Sequence, residues 1–121
     1  MTRIDSRYSG QLRCHSQHGP SGSTLDTDAP TDLVATALST CMLTIMGIVA
    51  DRHGLNLEGT TARVEKTMTS EAPRRIAQLS VWVELPAGLE PQQRALLQRA
   101  AENCPVKLSL EGCVPMELHW S

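Results

Sequence analysis

The strongest pattern in the chain is an uncharged stretch from Leu33 to Ala50, bounded by Asp32 and Asp51. Its apolar residues (Leu33, Val34, Leu38, Cys41, Met42, Leu43, Ile45, Met46, Ile48 and Val49) ring nearly the whole circumference of a helix. A surface helix would keep a polar face. Pro30-Thr31-Asp32 opens this helix, with Thr31 or Asp32 able to cap its free N–H groups, and His53-Gly54 stops it after Arg52. About 18 uncharged residues reach the lower edge of a membrane span. Thr36, Ser39, Thr40, Thr44 and Gly47 lower its hydrophobicity, and the flanks lack aromatic anchors and a basic side, so a buried helix and no membrane contact are expected. A helix apolar on every side needs cover on every side, more than 121 residues readily supply, which predicts a second subunit.

The remaining pattern is mostly strand-like. Arg7 to Cys14 predicts two strands around Gly10, and His18 to Ser23 is turn chemistry before a short strand near Thr24 to Asp26. Leu57 to Met68 alternates loosely, and Ile76 to Leu85 places Leu79, Val81, Val83 and Leu85 at period two, with Glu71-Ala72-Pro73 turning between the runs. Glu90 to Asn103 predicts a helix with Pro91 early, Pro105 to Leu110 a short helix, and Val114 to Trp120 a last strand. The fold class is α+β, read as a single domain over 1–121.

Charge changes this picture little. Eleven basic and 13 acidic residues are spread without blocks, and two Trp, one Tyr and no Phe leave little to stack on bases. Nucleic acid is therefore not an expected partner. Met1-Thr2-Arg3-Ile4-Asp5 lacks the apolar run of a secretory signal, so the cytoplasm is expected, where thiols stay reduced. Cys14, Cys41, Cys104 and Cys113 are then reactive, metal-binding or simply buried rather than a disulfide framework. A zinc site from Cys14, His15 and His18 offers N and S ligands. But Cys14 and His15, being adjacent, would point to opposite faces of a strand. No phosphate-cradling Gly-rich loop and no Ser-His-Asp arrangement occurs, and no cofactor or metal is expected.

Cys41 lies mid-helix, where a small core residue is the plain reading. Cys104 precedes Pro105 and is a candidate N-cap, near free N–H groups that stabilise a thiolate. A thiol peroxidase needs one cysteine to become a sulfenic acid and a second to condense with it. Spacing alone does not nominate this pair.

Leu33-Val34-Ala35-Thr36-Ala37-Leu38-Ser39-Thr40-Cys41, preceded by Pro30-Thr31-Asp32, resembles the central-helix motif of OsmC/Ohr proteins. Asn103-Cys104-Pro105-Val106 resembles the family's second motif, and the order of elements is similar from about Tyr8 to Trp120. The resemblance implies an intertwined homodimer around two central helices, with Cys41 attacking organic hydroperoxides, Cys104 resolving, and a dithiol as reductant. It gives Cys14 and Cys113 no catalytic position. It also implies an Arg from the N-terminal region and a Glu at the start of the central helix. The Glu position falls on Thr31, leaving Asp32 as the neighbouring carboxylate, and Arg13, Arg74 and Arg75 as candidate guanidiniums; for each of these, solvated surface charge is the safer reading. Relatives also carry a longer Gly-rich loop than Thr27 to Asp32. A non-catalytic dimer of the same fold, binding a small apolar molecule, is the alternative.

Overall fold

The computed structural model describes residues 1–121 as two compact units, Met1–Pro30 and Thr31–Ser121. The first is an antiparallel meander in the order β1 (Ile4–Gly10), β2 (Arg13–His18), β3 (Thr24–Thr27). β1 and β2 are joined through Gln11 and Leu12, both at positive φ (55° and 62°), the sense of turn that matches the strands' twist. At the far end the chain passes so close to Arg3 that a Cβ on Gly19 would lie 2.8 Å from the Arg3 carbonyl oxygen. Glycine is required there to let the Gly19 N–H donate to that same carbonyl at 2.9 Å.

The second unit runs α1 (Pro30–Arg52), β4 (Thr61–Met68), β5 (Ile76–Glu84), α2 (Pro91–Glu102), α3 (Pro105–Leu110) and β6 (Met116–Trp120). β5 is central: β4 pairs with it antiparallel, and β6 parallel after a crossover through α2 and α3. Its alternation sends Leu79, Val81 and Val83 inward. On α1 the buried residues are Ala35, Leu38, Met42, Met46 and Ala50, a stripe at three- and four-residue spacing, and Leu97 and Ala101 of α2 join the same core. On the outer face Arg63, Trp82 and His119 form one tier across β4, β5 and β6. The His119 ring stacks on Trp82 at 5.0 Å and the Arg63 guanidinium lies 4.8 Å from its centroid.

Two expectations are corrected. Leu57 to Thr60 is a turn, not the start of a strand: Gly59 takes a φ of 89°, Asn56 Oδ1 accepts the Glu58 N–H at 2.9 Å, and Thr60 Oγ1 donates to the Leu57 carbonyl at 2.6 Å. And α1 begins at Pro30, which puts Thr31 and Asp32 inside its first turn, where both side chains engage Lys66 instead of capping. Within the single chain α1 has cover on one side. Thr36, Ala37, Thr40, Thr44 and Ile48 remain exposed.

Candidate active site

Two turns of local structure fix Cys104. α2 ends at Asn103, whose side-chain amide donates to the Arg99 carbonyl at 2.8 Å. Pro105 then forces the preceding residue into extended backbone, and Cys104 sits at φ −66°, ψ 135° as the N-cap of α3. From there its Sγ accepts the Lys107 N–H at 3.3 Å. The side chain is wholly buried, whereas Cys41, on the flank of the buried stripe of α1, is half-buried. The two thiols are neighbours, close enough that Cys41 acts on the ionisation of Cys104, and neither is in a disulfide.

Burial is the largest influence on Cys104 and pushes its thiol above the ordinary value of 9.0. The Lys107 and Val106 N–H groups pull the other way, and the neighbouring Cys41 adds to the rise through its hydrogen bond and its charge. The N-cap position alone predicts a stabilised thiolate, so this is a correction: desolvation outweighs the two N–H donors.

An apolar groove of about 340 Å³ runs between α1 and α3, lined by Val34, Ala37, Pro105, Val106, Ser109 and Leu110. Val34 and Ala37 lie about two turns and one turn before Cys41 on the same side of α1. Pro105 and Val106 directly follow Cys104. The groove therefore follows α1 and α3 alongside the thiol pair.

The expected supporting charges lie on α1, in the β4–β5 turn and on β2. Asp32 precedes Cys41 by about two and a half turns, which puts it on the opposite side of α1. There it forms an ion pair with Lys66 at 2.5 Å, and Lys66 Nζ also donates to Thr31 Oγ1 at 2.7 Å. Asp32 thus anchors the start of α1 on the side away from Cys41. Arg74 and Arg75 are exposed in the β4–β5 turn, and Arg75 donates to the Pro73 carbonyl at 3.2 Å. Neither is hydrogen-bonded to a thiol of the pair. Arg13, in the N-terminal meander, pairs with Asp28 at 3.5 Å.

Lys66 was not singled out from sequence, although a signal existed. It occupies an inward position of β4, in step with Ala62, Val64 and Met68. Of the proposed zinc ligands, His15 Nδ1 pairs with Asp26 at 2.7 Å and His18 Nδ1 with Ser21 Oγ at 2.7 Å. Cys14 is half-buried in β2, and Cys113 is exposed, its thiol directed at the Leu110 carbonyl.

Fold and site together define an α+β protein with a thiol pair carried by a central helix and a Cys-Pro helix start. Residues 26–119 match the family described as OsmC-like protein, and the chain belongs to that family. A structure from Psychrobacter arcticus, described as a putative osmotic stress induced and detoxification response protein, is 32% identical, with a TM-score of 0.91 over 100% of this chain and 96% of that one. An organic hydroperoxide resistance protein OsmC from Legionella pneumophila is 19% identical, with a TM-score of 0.74 over 100% and 96%. OhrB of Bacillus subtilis, an organic hydroperoxide resistance protein, is 15% identical, with a TM-score of 0.68 over 100% and 98%. No curated protein matches the sequence.

The raised Cys104 thiol carries a stability consequence. A folded group that holds its proton more tightly than the unfolded one stabilises the fold fully below the unfolded value, 9.0, and loses that contribution as pH rises through the folded value. Under reducing conditions the urea midpoint of the wild type should fall more steeply above about pH 9 than that of Cys104→Ser, which does not titrate there. Superimposable pH profiles for the two proteins would contradict the dominance of burial.

Proposed function

We propose that this protein is a thiol peroxidase for organic hydroperoxides, with Cys41 as the attacking and Cys104 as the resolving cysteine. The pairing of a half-buried thiol with a wholly buried neighbour carries this reading. A peroxide must reach the sulfur that it oxidises, which favours Cys41. A resolving thiol needs only to touch the oxidised sulfur, which suits Cys104. The Cys41 thiolate attacks the outer oxygen of the hydroperoxide, the O–O bond breaks, and the alkoxide leaves and takes a proton to become the alcohol. The Cys104 sulfur then attacks the Cys41 sulfenic acid, forming the disulfide and releasing water. A dithiol returns both cysteines to thiols and is itself oxidised.

The apolar lining of the groove along α1 and α3 supports an alkyl or aryl hydroperoxide over hydrogen peroxide. The Legionella and Bacillus relatives are named for organic hydroperoxide resistance, which agrees. The non-catalytic alternative draws on Thr31 and Asp32, which are bound to Lys66 and supply no carboxylate to Cys41. With dithiothreitol as reductant, the wild type should consume tert-butyl hydroperoxide, and Cys41→Ser should lower the rate by at least about a thousandfold. Cys104→Ser should accumulate a sulfenic acid on Cys41 that dimedone captures. A wild type no faster than Cys41→Ser would leave the binding reading in place of the catalytic one.

The same proposal takes the protein as a homodimer. Along the uncovered side of α1, Thr36, Thr40 and Thr44 each donate their hydroxyl to the carbonyl one turn back, at 3.1, 2.8 and 2.7 Å. With the hydroxyls occupied, the stripe presents methyl groups beside Ile48, a surface suited to a second copy of α1. Light scattering should give twice the chain mass for the wild type and a lower mass for Thr40→Glu. A monomeric wild type would contradict this part of the proposal.

A further inference from the structure

The two sulfurs differ sharply in access, and that difference bears on how the oxidised protein is reduced. Cys104 has no exposed surface and Cys41 is only half-buried. Cys104 is also held on both sides along its backbone: its N–H donates to the Ala101 carbonyl at 3.1 Å and its carbonyl accepts the Leu108 N–H at 3.0 Å. Exchange requires the incoming thiolate to reach the sulfur it attacks, with the other sulfur leaving. A disulfide joining these residues therefore offers one reachable sulfur.

We propose that the reductant's thiolate attacks the disulfide at Cys41 and expels Cys104 as the leaving thiolate, which is received by the Lys107 N–H. The inference rests on the peroxidase reading for its place in a catalytic cycle, but the exchange itself does not require a hydroperoxide. In the first step a bond forms between the reductant's sulfur and Cys41 Sγ, the Cys41–Cys104 bond breaks, and Cys104 carries away the electron pair. In the second, the other thiolate of a dithiol reductant attacks its own sulfur in the mixed disulfide. Cys41 leaves as a thiolate and the reductant leaves as a cyclic disulfide. Protons from the two reductant thiols end on the two cysteines or in solvent.

Two influences oppose each other. Burial raises the Cys104 thiol, and a group that holds its proton tightly is the poorer leaving group. Access decides, because a sulfur with no exposed surface cannot be attacked without opening the core packed around it. The Lys107 N–H, 3.3 Å from Cys104 Sγ, then becomes the positioning group for the departing charge, partly offsetting the cost of burial. This is a role for the backbone of Lys107. Its side chain is engaged separately, with Nζ 2.6 Å from Glu111 Oε2.

The test uses the full chain oxidised with diamide, so that a failure to react with hydroperoxides does not enter the result. Glutathione is added, exchange is quenched at low conversion with acid and N-ethylmaleimide, and the peptides are mapped. Glutathione on Cys41 with maleimide on Cys104, in about tenfold excess over the reverse pattern, is the expected result. Any smaller excess, glutathione chiefly on Cys104, or no adduct overturns the proposal. For the positioning role, Lys107→Pro removes the N–H and Lys107→Ala keeps it. The proline variant's disulfide should be reduced about tenfold more slowly than the alanine variant's. Equal rates in two variants of matched far-ultraviolet circular dichroism would remove Lys107 from the mechanism.

Discussion

A thiol is one of the few reactive groups that can be buried at little cost, because in its neutral form it packs as a small hydrophobe. As a thiolate it would face the desolvation that any buried charge meets. Cys104 uses the first property. Wholly enclosed with Leu38, Met42 and Leu97 in one core cluster, it forms part of the packing and still lies beside the half-buried Cys41. The same pairing thereby joins a piece of the core to a sulfur that solvent can reach. The division of labour proposed for the pair, attack at one sulfur and resolution by the other, follows from that asymmetry of burial more than from the identity of the residues.

Holding the pair together is a matter of rotation about the α1 axis. One residue of slip turns the helix by about 100°, enough to carry Cys41 away from Cys104. Two anchors on other sides of the helix oppose it. The Ala35, Leu38, Met42, Met46 and Ala50 stripe is committed to the core shared with β5. At the start of the helix, Lys66 of β4 holds both Thr31 and Asp32. Lys66 is largely shielded from solvent, with 16% of its side chain exposed, so this ion pair is screened less than a fully exposed one. The polar residues that open α1 thus contribute orientation, at a distance from the sulfur chemistry.

Much of this arrangement was legible in the residues. The uncharged run of α1, the period-two alternation of β5 and the Cys104-Pro105 helix start are local signals, and the elements form where those signals place them. What was not legible depends on contacts made across the fold. Asp32 and Thr31 read as caps because capping is a local property; the partner that claims them, Lys66, comes from a strand 35 residues away. The protonation of Cys104 could not be signed from its N-cap position, since burial by distant segments outweighs the two N–H groups beside it. The turn at Leu57 to Thr60 interrupts a loosely alternating run, and Gly59 was the mark of it. Arg74 and Arg75 read more simply as surface charge than as site, and the structure leaves both exposed in their turn.

The central claim is that Cys41 and Cys104 are a redox pair and not merely neighbours in the packing. It is tested most directly by treating the fully reduced protein with one equivalent of cumene hydroperoxide and mapping the cysteines by mass spectrometry. The account predicts a disulfide between Cys41 and Cys104, with Cys14 and Cys113 still reduced. All four thiols remaining free, or a bond involving Cys14 or Cys113, would contradict it.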